Sequence, residues 1–206
     1  ELSEGFNTGN GIRVQVLLVS HNPLFIDLKS FHEVRHFSKD ADRNVVVRRS
    51  TIEECAHKTA AAFEKEPDPQ IYGLGLHVLT PEIAEGFFAR KVVLVEGVGD
   101  RAVLLGAYEA IGRNPLSDGI YIVSTDGKTK LDKPLVIFSS VGIEVYTVLD
   151  NDYSGKKKKA KSNIAYNRAI QKLVGVEEPA DFPNGIGKRF AAFDGNLEKW
   201  FETQCG

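Results

Sequence analysis

The sequence predicts an α/β fold in which helices flank a parallel sheet, and three observations predict it. From residue 91 onward, strand-length apolar runs alternate with amphipathic stretches in a βαβαβαβα order, the pattern of parallel strands joined by helical crossovers. The runs KVVLV and VYTVL are nearly continuous in apolar residues, as strands covered on both faces are. Three of those strands end in polar residues: Glu96-Gly97, Ser124 to Lys128, and Asp150-Asn151-Asp152. Strand interiors avoid carboxylates because desolvating them is costly, and strand ends escape that cost.

Ahead of this region, VQVLLV at 14–19 is an apolar run of strand length. SHNP follows with turn chemistry and His21, and LFIDL begins a short helix. FHEVRHF at 31–37 and NVVVRR at 44–49 read as two strands about the polar turn SKDADR. Residues 1–50 thus form a small β-rich piece. At Thr51 the texture changes, and TIEECAHKTAAAFEKE opens a helix with Glu54 in the capping-box position. Pro67 and Pro69 stop it, and Thr80-Pro81 starts another helical turn. Residues 51–89 are expected to be a helical linker or an insert for packing on a partner.

Within 90–206 the strands are 91–96, 119–124, 144–150 and 189–193. The first helix puts Val103, Leu104, Ala107, Tyr108 and Ile111 on one face and stops at Gly112. In the second, Asp132 is placed to cap, Pro134 sits in the first turn, and Leu135, Phe138 and Val141 point inward. In the third, Tyr166, Ile170, Leu173 and Val174 share a face, and NLEKWFE starts a last helix.

Composition excludes several classes. Net charge over the 206 residues is -2, so any nucleic-acid contact has to come from local clusters. Cys55 and Cys205 lie far apart and outside any CxxC pattern. That argues against a disulfide framework or a zinc site and for a reducing, cytoplasmic compartment. Apolar runs are too short to span a membrane. The chain contains no Met and is expected to be a piece of a longer protein.

In an open parallel sheet, ligands bind outside the carboxyl ends of the strands. Carboxylates gathered at one edge repel one another unless a cation sits among them, and such oxygen donors suit Mg²⁺ or Mn²⁺ better than Zn²⁺. Asp150 and Asp152, in D-x-D spacing, are placed to turn toward one ion. Asp100 alone reads as a helix cap. Capping explains neither a Glu before Gly nor a paired D-x-D. Gly97 lets backbone or phosphate approach closely, or takes a positive φ.

VVLVEGVGD at 92–100, followed by a later strand ending VLDND, resembles the TOPRIM domain of topoisomerases, bacterial-type primases, recombination proteins and OLD-family nucleases. Glu96 with an Asp four residues on resembles the OLD branch. The S-x-D-G-K segment at 124–128 is similar to that family's glycine-lysine loop, with Asp126-Gly127 where the family usually has two glycines. VQVLLVSHNPLFIDL resembles the last core strand of an ABC-type ATPase, where the histidine, here His21, contacts the γ-phosphate. OLD proteins join such an ATPase to a TOPRIM domain.

The resemblance implies a TOPRIM domain over 90–206, an ATPase tail over 1–50, and a DNA endonuclease working with two divalent ions, Mg²⁺ or Mn²⁺. It would give Asp150 and Asp152 to one ion and Glu96 and Asp100 to the other, with Asp150 able to bridge and Glu198 a further ligand. Glu198 reads equally well as an exposed first-turn glutamate. Lys128 would steady developing phosphate charge, although a solvated loop lysine is the simpler reading. Lys156, Lys157, Lys158 and Lys159 would contact the DNA backbone, without reading sequence. No GxxxxGK[ST] is present, so ATP would bind only in a complete ATPase domain, and the full-length protein is expected to be a homo-oligomer. On the same scaffold a topoisomerase or primase, or a DNA-binding module without cleavage, stays open.

Overall fold

The computed structural model describes residues 6–7, 13–14, 16–152, 157–195 and 197–205. Two small antiparallel pairs come first: β1 (Phe6–Asn7) with β2 (Arg13–Val14), and β3 (His36–Lys39) with β4 (Val45–Arg48). The second pair is the hairpin predicted about SKDADR, with Phe37 opposite Val47. Of the strand predicted at 14–19, Val14 lies in β2, whereas Val16 to Val19 belong to no strand and lie exposed. A fully apolar strand needs neighbours on both sides, and no described residue pairs with these.

Helix α1 (Ile52–Ala62) starts as the sequence requires. Thr51 Oγ1 accepts from the Glu54 N–H, and the Glu54 carboxylate accepts from the Thr51 N–H. The short α2 (Pro69–Leu74) and a 3₁₀ stretch at Pro81–Phe88 follow. This region is not loosely attached. Cys55, Ala56, Tyr72, Leu76, Ile83, Ala84 and Phe87 are buried in one core with Val92, Leu94 and Phe138, and Leu28 and Phe31 join it.

The main sheet is built from β5 (Lys91–Val95), β6 (Ile120–Ser124), β7 (Glu144–Asp150), β8 (Gly185–Ile186) and β9 (Phe190–Phe193), in the order β6-β5-β7-β9-β8. All pairings are parallel except that of the two-residue β8 with β9. The chain runs from β5 through α3 (Val98–Ala110) to β6 on one side, then through α4 (Asp132–Ser140) to β7 on the other. The order therefore reverses between β5 and β7, and the carboxyl ends of those strands flank the crevice where such folds bind ligands. Helix α5 (Lys157–Leu173) leads to β8 and β9, and α6 (Leu197–Cys205) closes the chain.

Two cores result. One face of the sheet packs on α1, α4 and α5. The other packs Val95, Ile122, Val148, Ala191 and Phe193 on Val103, Leu104 and Tyr108 of α3 and Leu197 of α6. Gly112, at φ 69, ends α3 in the left-handed conformation that glycine adopts without cost. Ile111, predicted to face inward, sits at the C-cap and is exposed. Asp132 does not cap α4. It is the first helical residue, its carboxylate is buried beside Lys133 at 3.6 Å, and its Oδ1 has no hydrogen-bond partner among the described residues.

Packing of Pro81–Phe88 on α4 is tight enough to test. A Cβ added at the buried Gly86 would lie 2.6 Å from Phe138 Cζ, in a ring held edge-to-face by Phe87. Gly86→Ala is expected to cost about 1–3 kcal/mol in urea unfolding, the usual range for overpacking. An unchanged midpoint would mean that this segment does not pack as described.

Candidate metal centre

The site begins with backbone stitching between the ends of β5 and β6. The Thr125 N–H donates to Val95 O at 2.9 Å, the Gly127 N–H to Glu96 O at 2.7 Å, and Ser124 Oγ to Glu96 O at 3.2 Å. Asp126 takes φ 58 and Gly127 φ 121. Asp is among the few side chains that tolerate the left-handed region. Its presence at 126 is thus compatible with a turn that two glycines would also make, whereas Gly127 lies where a side chain would strain.

That turn throws Lys128 inward. Only 7% of its side chain is exposed. Its Nζ donates to Asp152 Oδ2 at 2.7 Å, to Asn167 Oδ1 at 3.1 Å and to the Asp150 carbonyl, and lies 3.6 Å from Glu96 Oε1. Lys128 is not the solvated loop lysine of the simpler reading. It is a buried cation set among carboxylates.

Glu96 and Asp150 sit at the ends of adjacent strands, and Glu96 Oε1 accepts from the Asp150 N–H at 2.8 Å. Burial pushes Glu96 up to about 7, with Asp150 and Asp152 adding to the rise and Lys128 and the Asp150 N–H opposing it. Burial likewise raises Asp150 to about 7, helped by Asp100, Asp152 and Glu198 and opposed by Lys128.

Asp100 combines two roles that the sequence left as alternatives. It is the third residue of α3, and its Oδ2 accepts from the Gly97 N–H at 2.8 Å, as a cap does. It is also buried, and burial and Glu198 together raise its pKa against that hydrogen bond. Glu198, in the first turn of α6, is half-buried rather than exposed. Its carboxylate lies against Gly99, where any Cβ would collide with it. Gly97 has φ -124, so it needs no positive φ. Gly99, which the sequence reading did not single out, is the glycine that makes room for an acid.

Electrostatically the acids fall into two groups that share Asp150. Glu96 and Asp152 lie on the Lys128 side, and Asp100 and Glu198 lie on the other. Asp152 departs from strand geometry, with φ 52, so its carboxylate turns to Lys128 instead of following the alternation from Asp150. Among the described residues, no three carboxylate, imidazole or thiol side chains already close on one point as an ion's cage would. The donor chemistry still fits a hard divalent cation: five carboxylates, two of them raised to about 7 despite a buried ammonium.

Other predicted residues lie elsewhere. His21 is exposed beside a cleft lined by Glu85, Phe88, Gly119 and Ile120, at the start of β6 and so at the opposite end of the strands. Lys156 and the side chains of Lys157, Lys158 and Lys159 lie outside the described residues. Residues 157–159 open α5. The sequence reading missed Asn167, which has no exposed surface and accepts from Lys128. The available signal was the spacing of Asn163, Asn167 and Gln171 at i, i+4 and i+8 beside an apolar face.

A parallel sheet that reverses between β5 and β7, with Glu-Gly after one strand and D-x-D after the other, defines a TOPRIM domain. Residues 87–152 match the family described as overcoming lysogenization defect protein-like, TOPRIM domain. TOPRIM domains generally bind divalent metals. The chain is 26% identical over 175 residues to a protein named OLD nuclease from Thermus scotoductus (strain ATCC 700910 / SA-01). That match takes in 79% of this chain but only 32% of the relative, so the chain spans about a third of the relative's length. No described helix is long and apolar enough to cross a membrane.

The raised carboxylates fix a sign. Their folded pKa lies above the unfolded value near 4, so their contribution to stability is present at low pH and is lost as pH rises through about 7. In EDTA the melting temperature is expected to fall between pH 5 and pH 8, and Glu96→Gln should flatten that fall. If parent and variant show the same pH dependence, Glu96 is not held as described.

Proposed function

We propose that this chain is the catalytic portion of a divalent-metal-dependent DNA endonuclease, cleaving phosphodiesters with little sequence preference. The observation that carries the proposal is the set Glu96, Asp100, Asp150, Asp152 and Glu198, gathered at the switch point of the sheet. The OLD-like family match and the nuclease named among its relatives support the same reading.

In this reading Asp150, with Asp100 and Glu198 on one side of it and Glu96 and Asp152 on the other, would hold two divalent ions, Mg²⁺ or Mn²⁺. Such ions activate an attacking water and stabilise the leaving oxygen. The chain's own residues do the rest. Glu96 and Asp150 release their protons to become ligands, so binding strengthens as pH rises through 7. Lys128 offers a buried ammonium to the negative charge that gathers on the phosphate. The lysines at 156–159 follow the D-x-D closely in sequence, where they would hold DNA by its backbone and make binding sensitive to salt.

Residues 1–50 are proposed as the tail of an ATPase module, residues 51–89 as a helical linker or insert and 90–206 as the TOPRIM domain. His21 would meet ATP only when that module is complete, and the full-length protein is proposed to be a homo-oligomer. The exposed run Val16 to Val19 supports this, since it has the composition of a core strand.

Supercoiled plasmid tests the proposal. Nicking is expected with Mg²⁺ or Mn²⁺ and none with EDTA, in the full-length protein and, more weakly, in this chain. Glu96→Ala and Asp150→Ala should each lower the rate by more than about a hundredfold, because groups one shell further out already account for roughly 10- to 100-fold. Gly99→Ala should lower it as Glu198→Gln does, since the added methyl displaces the flexible end of Glu198 at little cost to the helix. If the alanine variants nick like the parent, the site is wrongly placed. If the full-length parent shows no metal-dependent nicking, the nuclease reading falls.

A further inference from the structure

Helix α5 carries amides where the rest of its inner face is apolar. Asn163, Asn167 and Gln171 recur every four residues and so share one stripe. Asn167 and Gln171 are buried, beside Ala169, Ile170 and Val174. A buried amide is costly unless its donors and acceptor are used, and a leucine would have served packing alone.

Each amide has found backbone or charge to bind. Asn167 Nδ2 donates to Asn151 O at 2.9 Å and to Asp181 O at 2.8 Å, while its Oδ1 accepts from Lys128 Nζ at 3.1 Å. The chemistry forces this orientation. A flipped amide would face N–H toward ammonium and oxygen toward two carbonyls. Asn163 Nδ2 reaches Asp152 O at 3.4 Å. Gln171 Nε2 donates to Ala180 O at 2.7 Å and its Oε1 accepts from the Ala180 N–H at 3.0 Å. Gln171 Nε2 also donates to Asn167 O, one turn back on the same helix, at 2.9 Å. One turn of helix therefore separates an amide that holds the D-x-D turn and Lys128 from one whose side chain reaches only the loop at 180 and the helix backbone.

We infer that Asn167 is a positioning residue of the metal centre: it fixes the D-x-D turn through the Asn151 carbonyl and parks the Lys128 ammonium among the acids. Asn167 never needs to touch metal or DNA. It joins three segments distant in sequence: the loop after β6, the turn after β7 and the loop after α5. Asp152 needs such an anchor because it leaves the strand at φ 52, a conformation that costs free energy unless its surroundings impose it. This inference rests on the metal-centre reading proposed above.

The test compares Asn167→Leu with Gln171→Leu, both of which bury leucine in place of an amide on the same stripe. Three quantities are measured on full-length protein: urea unfolding, Mn²⁺ binding by electron paramagnetic resonance, and acylation of Lys128 in EDTA, read by mass spectrometry. Both variants are expected to lose stability. Asn167→Leu should also bind Mn²⁺ about tenfold or more weakly, as loss of an outer-shell partner does, and should acylate Lys128 several-fold faster. Gln171→Leu should stay within about twofold of the parent on both. If Asn167→Leu does not fold, Asn167→Ala replaces it, because the space it leaves admits water to the freed carbonyls. Equal Mn²⁺ affinity and equal Lys128 labelling in the two variants would reduce Asn167 to packing and overturn the inference. A parent that binds no Mn²⁺ would instead remove the metal reading, and the inference with it.

Discussion

The structure depends on one electrostatic constraint: several carboxylates are held at the end of a sheet, and a buried ammonium sits among them. Lys128 is 7% exposed and contacts the Asp152 carboxylate, the Asp150 carbonyl and the Asn167 amide within a single shell. A lone ammonium in that position would be expelled by its desolvation cost, and so would the acids. Together they persist. Burial still raises Glu96 and Asp150 to about 7, with the neighbouring acids adding to the rise and Lys128 opposing it. The oxygen donors gathered here are of the kind that suits a hard divalent cation, which is the basis of the proposed function.

Much of the fold serves to make that concentration of charge mechanically possible. The reversal of strand order between β5 and β7 opens the crevice, and the parallel register puts Glu96 and Asp150 side by side at its rim. Helix α3 brings Asp100 on its first turn, and α6, packed on α3 through Leu197, brings Glu198 against Gly99. Helix α5 closes the opposite side with amides that bind the chain and leave no further charge. The cores on the two faces of the sheet fix these helices, so the acids cannot relax apart without unpacking it.

The sheet was legible because its strands are apolar runs with polar ends, and so was the capping box at Thr51. The carboxylates were legible because helix capping explains neither a Glu before Gly nor a paired D-x-D at strand ends. What escaped were features that depend on three-dimensional approach. Lys128 read as an ordinary loop lysine because nothing local shows that the Asp126-Gly127 turn points it inward. Gly99 looked like a spare glycine because the side chain that needs its empty space lies about a hundred residues on, at Glu198. Asn167 was visible only as part of a periodic stripe whose meaning depends on which carbonyls face it. That Val16 to Val19 stay outside any strand has a different cause: their pattern is sound, but no described segment pairs with them.

The central claim is that the acids at the ends of β5 and β7 hold divalent metal. Manganese anomalous diffraction from crystals of the full-length protein grown with Mn²⁺ near pH 8 tests it most directly. The account requires an anomalous peak bonded to Asp150 and to at least one of Glu96, Asp100, Asp152 or Glu198. Full Mn²⁺ occupancy elsewhere in the protein, with no peak at Asp150, would contradict it.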